Sequence, residues 1–276
     1  MSDDEHSSPM RVDPVRATSL TANLSNVISR ISAASTPGHG PVRLVAVSKL
    51  KPANDILALY QSSHSHFHFG ENYQQELLQK SKLLPSDIRW HFIGALQTNK
   101  CKPLAEQIPN LWCVESVDTA KKADQLDKGR SALRESSDGH TIAPLRVFVQ
   151  VNTSGEEEKS GVEPKHAAEL CKHIRERCSH LQLQGVMTIG AIARSKEAAE
   201  GKENEDFHTL RRVRDEIVAV LNIATQDLEL SMGMSEDFEG AIKLGSNEVR
   251  VGSTLFGERP QKQDAIIKES VEGGKS

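Results

Sequence analysis

Eight short β-rich runs, separated by longer segments of helical periodicity, constrain this 276-residue chain more than any other feature of it. The runs are RLVAVSK (43–49), HFHFGE (66–71), WHFIG (90–94), LWCVES (111–116), LRVFVQVN (145–152), LQGVMTI (183–189), LELSMG (228–233) and EVRVGS (248–253). Between them ANDILALYQSS, YQQELLQKSKLL, TNKCKPLAEQI, DTAKKADQLDKGRSALRE, PKHAAELCKHIRERC, FHTLRRVRDEIVAVLN and SEDFEGAIKLG bring back apolar residues at helical spacing. Such alternation argues for a parallel sheet, and several runs are apolar on both faces, as strands covered on both sides must be. The pattern predicts a single α/β domain, a (β/α)₈ TIM barrel over residues 13–260, between polar tails at 1–12 and 261–276. An amphipathic segment near 17–35 predicts an extra N-terminal helix before the first strand. An open doubly wound sheet is the competing arrangement. Its dinucleotide-binding form would carry a glycine-rich turn after the first strand, where this chain has SKLKP.

Composition narrows the partners. With 34 basic against 38 acidic side chains the net charge is −4, which predicts no nucleic-acid partner. No apolar run approaches the roughly 20 residues of a membrane span, and the start MSDDEHSSPM lacks the basic-then-apolar order of a leader. Cys101, Cys113, Cys171 and Cys178 form no CxxC pair and read as reduced thiols of a cytoplasmic protein.

In a barrel of this kind the site lies where the strands end. Those ends are polar: Ser48-Lys49, Gly70-Glu71-Asn72, Glu115-Ser116, Asn152, Ser231 to Ser235, and Arg250 before Gly252-Ser253-Thr254. A lysine in a barrel mouth loses hydration, which lowers its pKa and leaves free amine to attack a carbonyl. Lys49 is therefore a candidate Schiff-base lysine, the alternative being a surface lysine at the start of a loop. Lys51, next to Pro52, is expected to be solvated. Ser235 is the expected N-cap of the helix in SEDFEGAIKLG, and Gly252-Ser253-Thr254 forms a second turn of glycine and hydroxyl residues. Either motif alone reads better as an ordinary strand closure or helix cap. Both follow strands seven and eight, where barrels commonly hold a phosphate. With the strand-one amine they point to a phosphorylated carbonyl compound, of which pyridoxal 5′-phosphate is the biological example.

Other constellations carry less. His64, His66 and His68 alternate, but no further ligand lies near enough in sequence to complete a metal site, and none is expected. His91 reads as a packed histidine, and Gln97 to Lys100 as a polar cluster that caps a helix or covers a ligand. NTSGEEEKSGV is a polar loop whose acidic run suits a solvated face, with Lys159-Ser160-Gly161 turning back toward the mouth.

AVSKLKP, HFGENYQQEL, WHFIGALQTNK, VQVNTSGEEEKSGV, LQGVMTIG and LSMGMSEDFEGAIKLGSNEVRVGSTLFGER resemble, in order, the motifs of the pyridoxal phosphate homeostasis protein family across residues 40–259. The resemblance implies one barrel of the type III-like pyridoxal phosphate fold, similar to the N-terminal domain of alanine racemase, with the cofactor in an aldimine with Lys49. It implies Asn72 beside the ring, Arg250 facing the pyridine nitrogen, and Ser235, Gly252, Ser253 and Thr254 at the phosphate. The implied role is vitamin B6 and amino-acid homeostasis by a cofactor binder without established catalytic activity. Apo-enzymes that use pyridoxal phosphate are the implied recipients, and the protein is expected as a monomer or weak dimer. Arginine opposite the ring nitrogen donates a hydrogen bond but has no proton to spare, which weakens the ring as an electron sink. The alternative is a weak pyridoxal phosphate-dependent amino-acid racemase. Alanine racemases share that arginine but take a tyrosine base from a second domain, whereas this chain has only Tyr60 and Tyr73. A Schiff-base aldolase using Lys49 without cofactor is a third, cofactor-free reading.

Overall fold

Strands β1 (Arg43–Val47), β2 (His68–Glu71), β3 (Arg89–Phe92), β4 (Leu111–Val117), β5 (Leu145–Gln150), β6 (Leu181–Met187), β7 (Glu229–Ser231) and β8 (Glu248–Val251) form a closed barrel in that order. All neighbours are parallel, and β8 pairs back onto β1 with Arg43 opposite Glu248. The computed structural model describes residues 10–36, 40–137, 142–156, 159–191, 194–195 and 203–269. The outer parts of both tails, the middles of the 36–41 and 136–144 linkers and part of the acidic run after Asn152 lie outside the described residues.

Helices α1 (Pro14–Ala34), α2 (Ala53–Tyr60), α3 (Gln74–Leu83), α4 (Thr98–Gln107), α5 (Ala120–Ser136), α6 (Ala167–Arg177), α7 (Glu205–Leu221), α8 (Phe238–Lys243) and α9 (Ser253–Phe256) surround it. The extra helix α1 starts where Asp13 accepts a hydrogen bond from Arg16 N–H at 2.7 Å and Pro14 supplies a preset φ. Its buried stripe of Leu20, Leu24, Val27 and Ile31 recurs at helical spacing, and the helix packs over α2, α8 and α9. Arg16 pairs with Asp55 of α2 at 2.6 Å, and Asn23 donates to Leu255 O at 2.9 Å.

Alternation along each strand separates two interiors. On β1, Leu44 and Ala46 join the core between strands and helices, whereas Val45 and Val47 lie against Gly70 of β2 inside the barrel. Six of the eight strands are shorter than the apolar runs that mark them, β4 being one residue longer and β6 equal in length. β1 stops at Val47, and beyond it Ser48 N–H still reaches Gly70 O at 2.9 Å, so Lys49 stands past the last strand residue.

Residues 261–269 lie along the start of α2. Pro52 gives that helix no side-chain cap, and the first free N–H, on Ala53, donates to Ile267 O at 2.7 Å. Asn54 holds both ends of the described chain, donating to Arg11 O at 2.6 Å and to Glu269 O at 3.3 Å, and accepting from Glu269 N–H at 2.8 Å. The four cysteines are buried free thiols. Among the described residues no helix is long and apolar enough to cross a membrane.

Candidate functional site

At the C-terminal ends of the strands lies a pocket of about 280 Å³, bordered by Val47, Lys49, Asn72, Ile93, Met187, Ile189, Met234, Ser235, Glu236, Arg250, Gly252, Ser253 and Arg259. Six residues singled out from sequence therefore meet in one place: Lys49, Asn72, Ser235, Arg250, Gly252 and Ser253. Thr254 sits in α9 and does not border the pocket.

The turn that presents Lys49 is held from behind. Leu50 has φ 62°, a left-handed conformation unfavourable to leucine, and its N–H donates to Glu76 Oε1 at 2.7 Å. Ser48 donates to Glu71 Oε1 at 2.7 Å, and the Ser48 carbonyl accepts from Lys80 Nζ at 2.9 Å. Lys80, fully buried, also pairs with Glu71 at 2.7 Å and Glu76 at 2.6 Å. Burial lowers the Lys49 pKa, and the nearby Arg259 lowers it further against the opposing pull of Glu71 and Glu76. The result is a larger fraction of free amine than an exposed lysine carries.

Lys51 is not solvated as its place beside Pro52 suggested. It is buried, and its ammonium hydrogen-bonds the carbonyl of Glu258, a partner brought in from the far end of the chain. That places Arg259, the next residue, at the pocket wall.

Asn72 follows β2 and leaves its Oδ1 buried with no hydrogen-bond partner. Gly94 makes room for it: a Cβ there would lie 2.1 Å from Asn72 O, so only glycine fits.

The far wall differs from expectation. Ser235 is not an N-cap, because α8 begins at Phe238 with Asp237 before it, and Asp237 Oδ1 accepts from Met234 N–H at 2.8 Å. Gly233, at φ 97°, turns the chain where a Cβ would come within 2.6 Å of the Ala241 Cβ. The Ser235 hydroxyl is thereby carried across to β8, where it accepts from Gly252 N–H at 3.2 Å.

Arg250 is anchored rather than free. It donates to Ser231 Oγ at 2.8 Å, Thr188 O at 2.6 Å and Glu115 Oε2 at 3.4 Å. From Glu115 a column of polar groups descends the barrel axis. His91 Nδ1 lies 2.8 Å from Glu115 Oε1, His91 Nε2 lies 2.8 Å from His68 Nδ1, and His68 Nε2 lies 3.3 Å from Arg89 Nη1. One tautomer pattern satisfies every contact, with Arg89 donating to His68, His68 to His91 and His91 to Glu115. Burial holds His91 down to about 4 and lowers His68 further, so both rings are neutral at pH 7, while burial raises Glu115 against the pull of Arg250. Glu248 beside them is pushed up to about 7 by burial and Glu115.

His64, His66 and His68 have separate partners: Ser25 Oγ at 2.7 Å, His68 O at 2.8 Å and His91. Two other clusters bring metal-type ligand atoms together, the buried His91, Cys113 and Glu115, and Asp124, His173 and Cys178 on the helical layer. Each is already tied by internal hydrogen bonds, Asp124 to His173 at 2.7 Å among them. Arg259 and Lys80 were not foreseen. Lys80 left a trace in the sequence, since it falls four residues after Glu76 on the face of α3 that also carries the buried Leu77.

A closed parallel barrel with an amine after its first strand and hydroxyl and glycine turns after its last two is a barrel of the alanine racemase N-terminal type, and the family model for "Alanine racemase, N-terminal domain" matches residues 19–260. More narrowly, the chain belongs to the pyridoxal phosphate homeostasis protein family. It is 46% identical over 230 residues to the "Pyridoxal phosphate homeostasis protein" of Schizosaccharomyces pombe, covering 83% of this chain and 90% of that one. The structure of PipY from Synechococcus elongatus with pyridoxal phosphate bound superposes with a TM-score of 0.66 at 27% identity, covering 86% of this chain and all of that one. Alanine racemase of Corynebacterium glutamicum shares the fold at 15% identity, with a TM-score of 0.63 over 91% of this chain and 65% of its own.

Proposed function

We propose that this protein binds pyridoxal 5′-phosphate in the mouth pocket, held covalently through Lys49, and serves cytoplasmic vitamin B6 and amino-acid homeostasis by keeping the cofactor and releasing it to apo-enzymes. The observation that carries this reading is the meeting of Lys49, with its lowered pKa, and the Ser235, Gly252 and Ser253 wall in one pocket. The residues fit such a ligand. Asn72 Oδ1 is a buried acceptor lacking a donor, Arg250 offers a charged donor, and Arg259 adds positive charge for an anion. When bound, the cofactor supplies an electrophilic aldehyde and an electron-withdrawing ring.

Each residue then has a task. Lys49 Nζ is the nucleophile toward the aldehyde carbon. Asn72 would border the ring, and Arg250, its guanidinium fixed by Ser231, Thr188 and Glu115, would face the ring nitrogen as a donor with no proton to give. Ser235, Gly252 and Ser253 would receive the phosphate, and Thr254, outside the pocket, would follow them in the chain without lining it. Turnover as a racemase needs a base on the opposite face, and neither tyrosine supplies one: Tyr60 donates to Asp87 at 2.9 Å, and Tyr73 lies under Lys262, 4.3 Å from its ring centre. Holding without turnover is therefore the function favoured. The four buried free thiols suit a reducing compartment.

The test is the visible spectrum of protein given pyridoxal phosphate, before and after borohydride, beside Lys49→Ala. A yellow band that borohydride bleaches, and that the variant lacks, supports the reading; identical spectra refute it. Absence of α-deuterium exchange across amino acids in heavy water separates holding from racemisation.

A further inference from the structure

At the opposite end of the barrel, where the strands begin, lies a second pocket of about 230 Å³. Three arginines border it: Arg89 at the start of β3, Arg146 near the start of β5, and Arg130 on α5. Among the described residues none of the three forms a salt bridge, although each is within the electrostatic reach of at least one other. The carboxylate on the pocket wall, Asp87, is occupied by Tyr60 OH at 3.0 and 2.9 Å.

Arg130 is only 4% exposed, and its bonds go to neutral carbonyls, Ala143 O at 2.9 Å and Pro109 O at 3.4 Å. A buried cation without a counter-charge is costly, and burial, then Arg134 and Arg146, brings its pKa down to about 10. Arg146 is held differently. Its guanidinium lies 4.4 Å from the ring centre of Trp112, which also borders the pocket, and it makes no hydrogen bond to any described residue. Lying over the ring holds the guanidinium in place while leaving its N–H groups unspent. A guanidinium so prepared binds the paired oxygens of a phosphate at two points.

We infer that the foot of the barrel is a binding site for a small, multiply charged oxyanion, such as pyrophosphate or the phosphate of an ester, gripped by Arg89, Arg130 and Arg146. The site is separate from the mouth pocket and shares no residue with it.

Calorimetric titration of the full chain with inorganic pyrophosphate tests this, using wild type, Arg146→Gln and Arg89→Gln, each loaded with pyridoxal phosphate and checked for an unchanged melting transition. The expected result is one saturable site in protein already loaded with pyridoxal phosphate, weakened tenfold or more by Arg146→Gln and weakened also by Arg89→Gln. Arg89 is exposed at the rim, so its replacement keeps the test decisive should Arg146→Gln fold poorly. Absence of saturable binding, or unchanged affinity in the two arginine variants, would each overturn the inference, the latter by placing the anion elsewhere than the foot.

Discussion

Lys80 Nζ lies 2.7 Å from Glu71 Oε1 with both side chains fully buried, directly behind the turn that presents Lys49. Two carboxylates and the Ser48 carbonyl converge on this ammonium, so it neutralises the turn from inside. Lys80→Met would leave Glu71 and Glu76 unpaired and cost about 3–5 kcal/mol, the usual penalty for stranding a buried charge. Urea unfolding measures the loss; a variant as stable as wild type would show the carboxylates to be neutral without it.

The Lys49 amine should titrate below the ordinary lysine value of 10.5, because burial and then Arg259 disfavour its charged form. Its reaction with an aldehyde should accordingly rise through a midpoint below that value. Arg259→Met removes the second cause and should move the midpoint upward without abolishing the reaction. Stopped-flow rates with pyridoxal phosphate across pH give both midpoints.

Gly94→Ala should damage the pocket selectively. The added methyl would meet Asn72 O at 2.1 Å, so the two loops must part, at about 1–3 kcal/mol. Pyridoxal phosphate affinity should fall with the displacement of Asn72. Gly240→Ala, in the middle of α8 with open space around it, is the matched control and should raise stability by about 1 kcal/mol. Thermal melts and cofactor titration of the two variants make the comparison.

Glu248 carries a pH signature. Its folded pKa of about 7 lies above the ordinary carboxylate value of 4.5, so between those pH values the folded state binds more protons than the unfolded one. Its contribution to stability is present in full below about 4.5 and is lost as pH rises through about 7. Glu248→Gln should therefore flatten the decline of stability across that window, read from urea midpoints at several pH values.

The strands were legible because a short β-rich run, apolar on both faces, is a local signal, and so was Lys49, because a polar residue at the end of such a run is conspicuous. Long-range partners were not legible. Lys51 is buried only because the carbonyl of Glu258 folds back to meet it, and Arg259 reaches the mouth by the same return. Ser235 mimicked a helix cap, since a serine before two acids has that local form. Asp237, by bonding Met234 N–H, moved the helix start and freed the serine for Gly252. The axial column from Arg250 to Arg89 left no periodic mark, because its five members are spread over four strands, β2, β3, β4 and β8.

Asn54 closes the chain on itself. Its one amide nitrogen bonds carbonyls at both ends of the described sequence, Arg11 and Glu269, so residues near the two ends of the described chain meet at a single side chain. Topologically the barrel is then close to a ring. A short linker joining these ends, with new termini opened in a loop on the foot side away from the mouth, should yield a circular permutant that folds to the same barrel and leaves Lys49 in place.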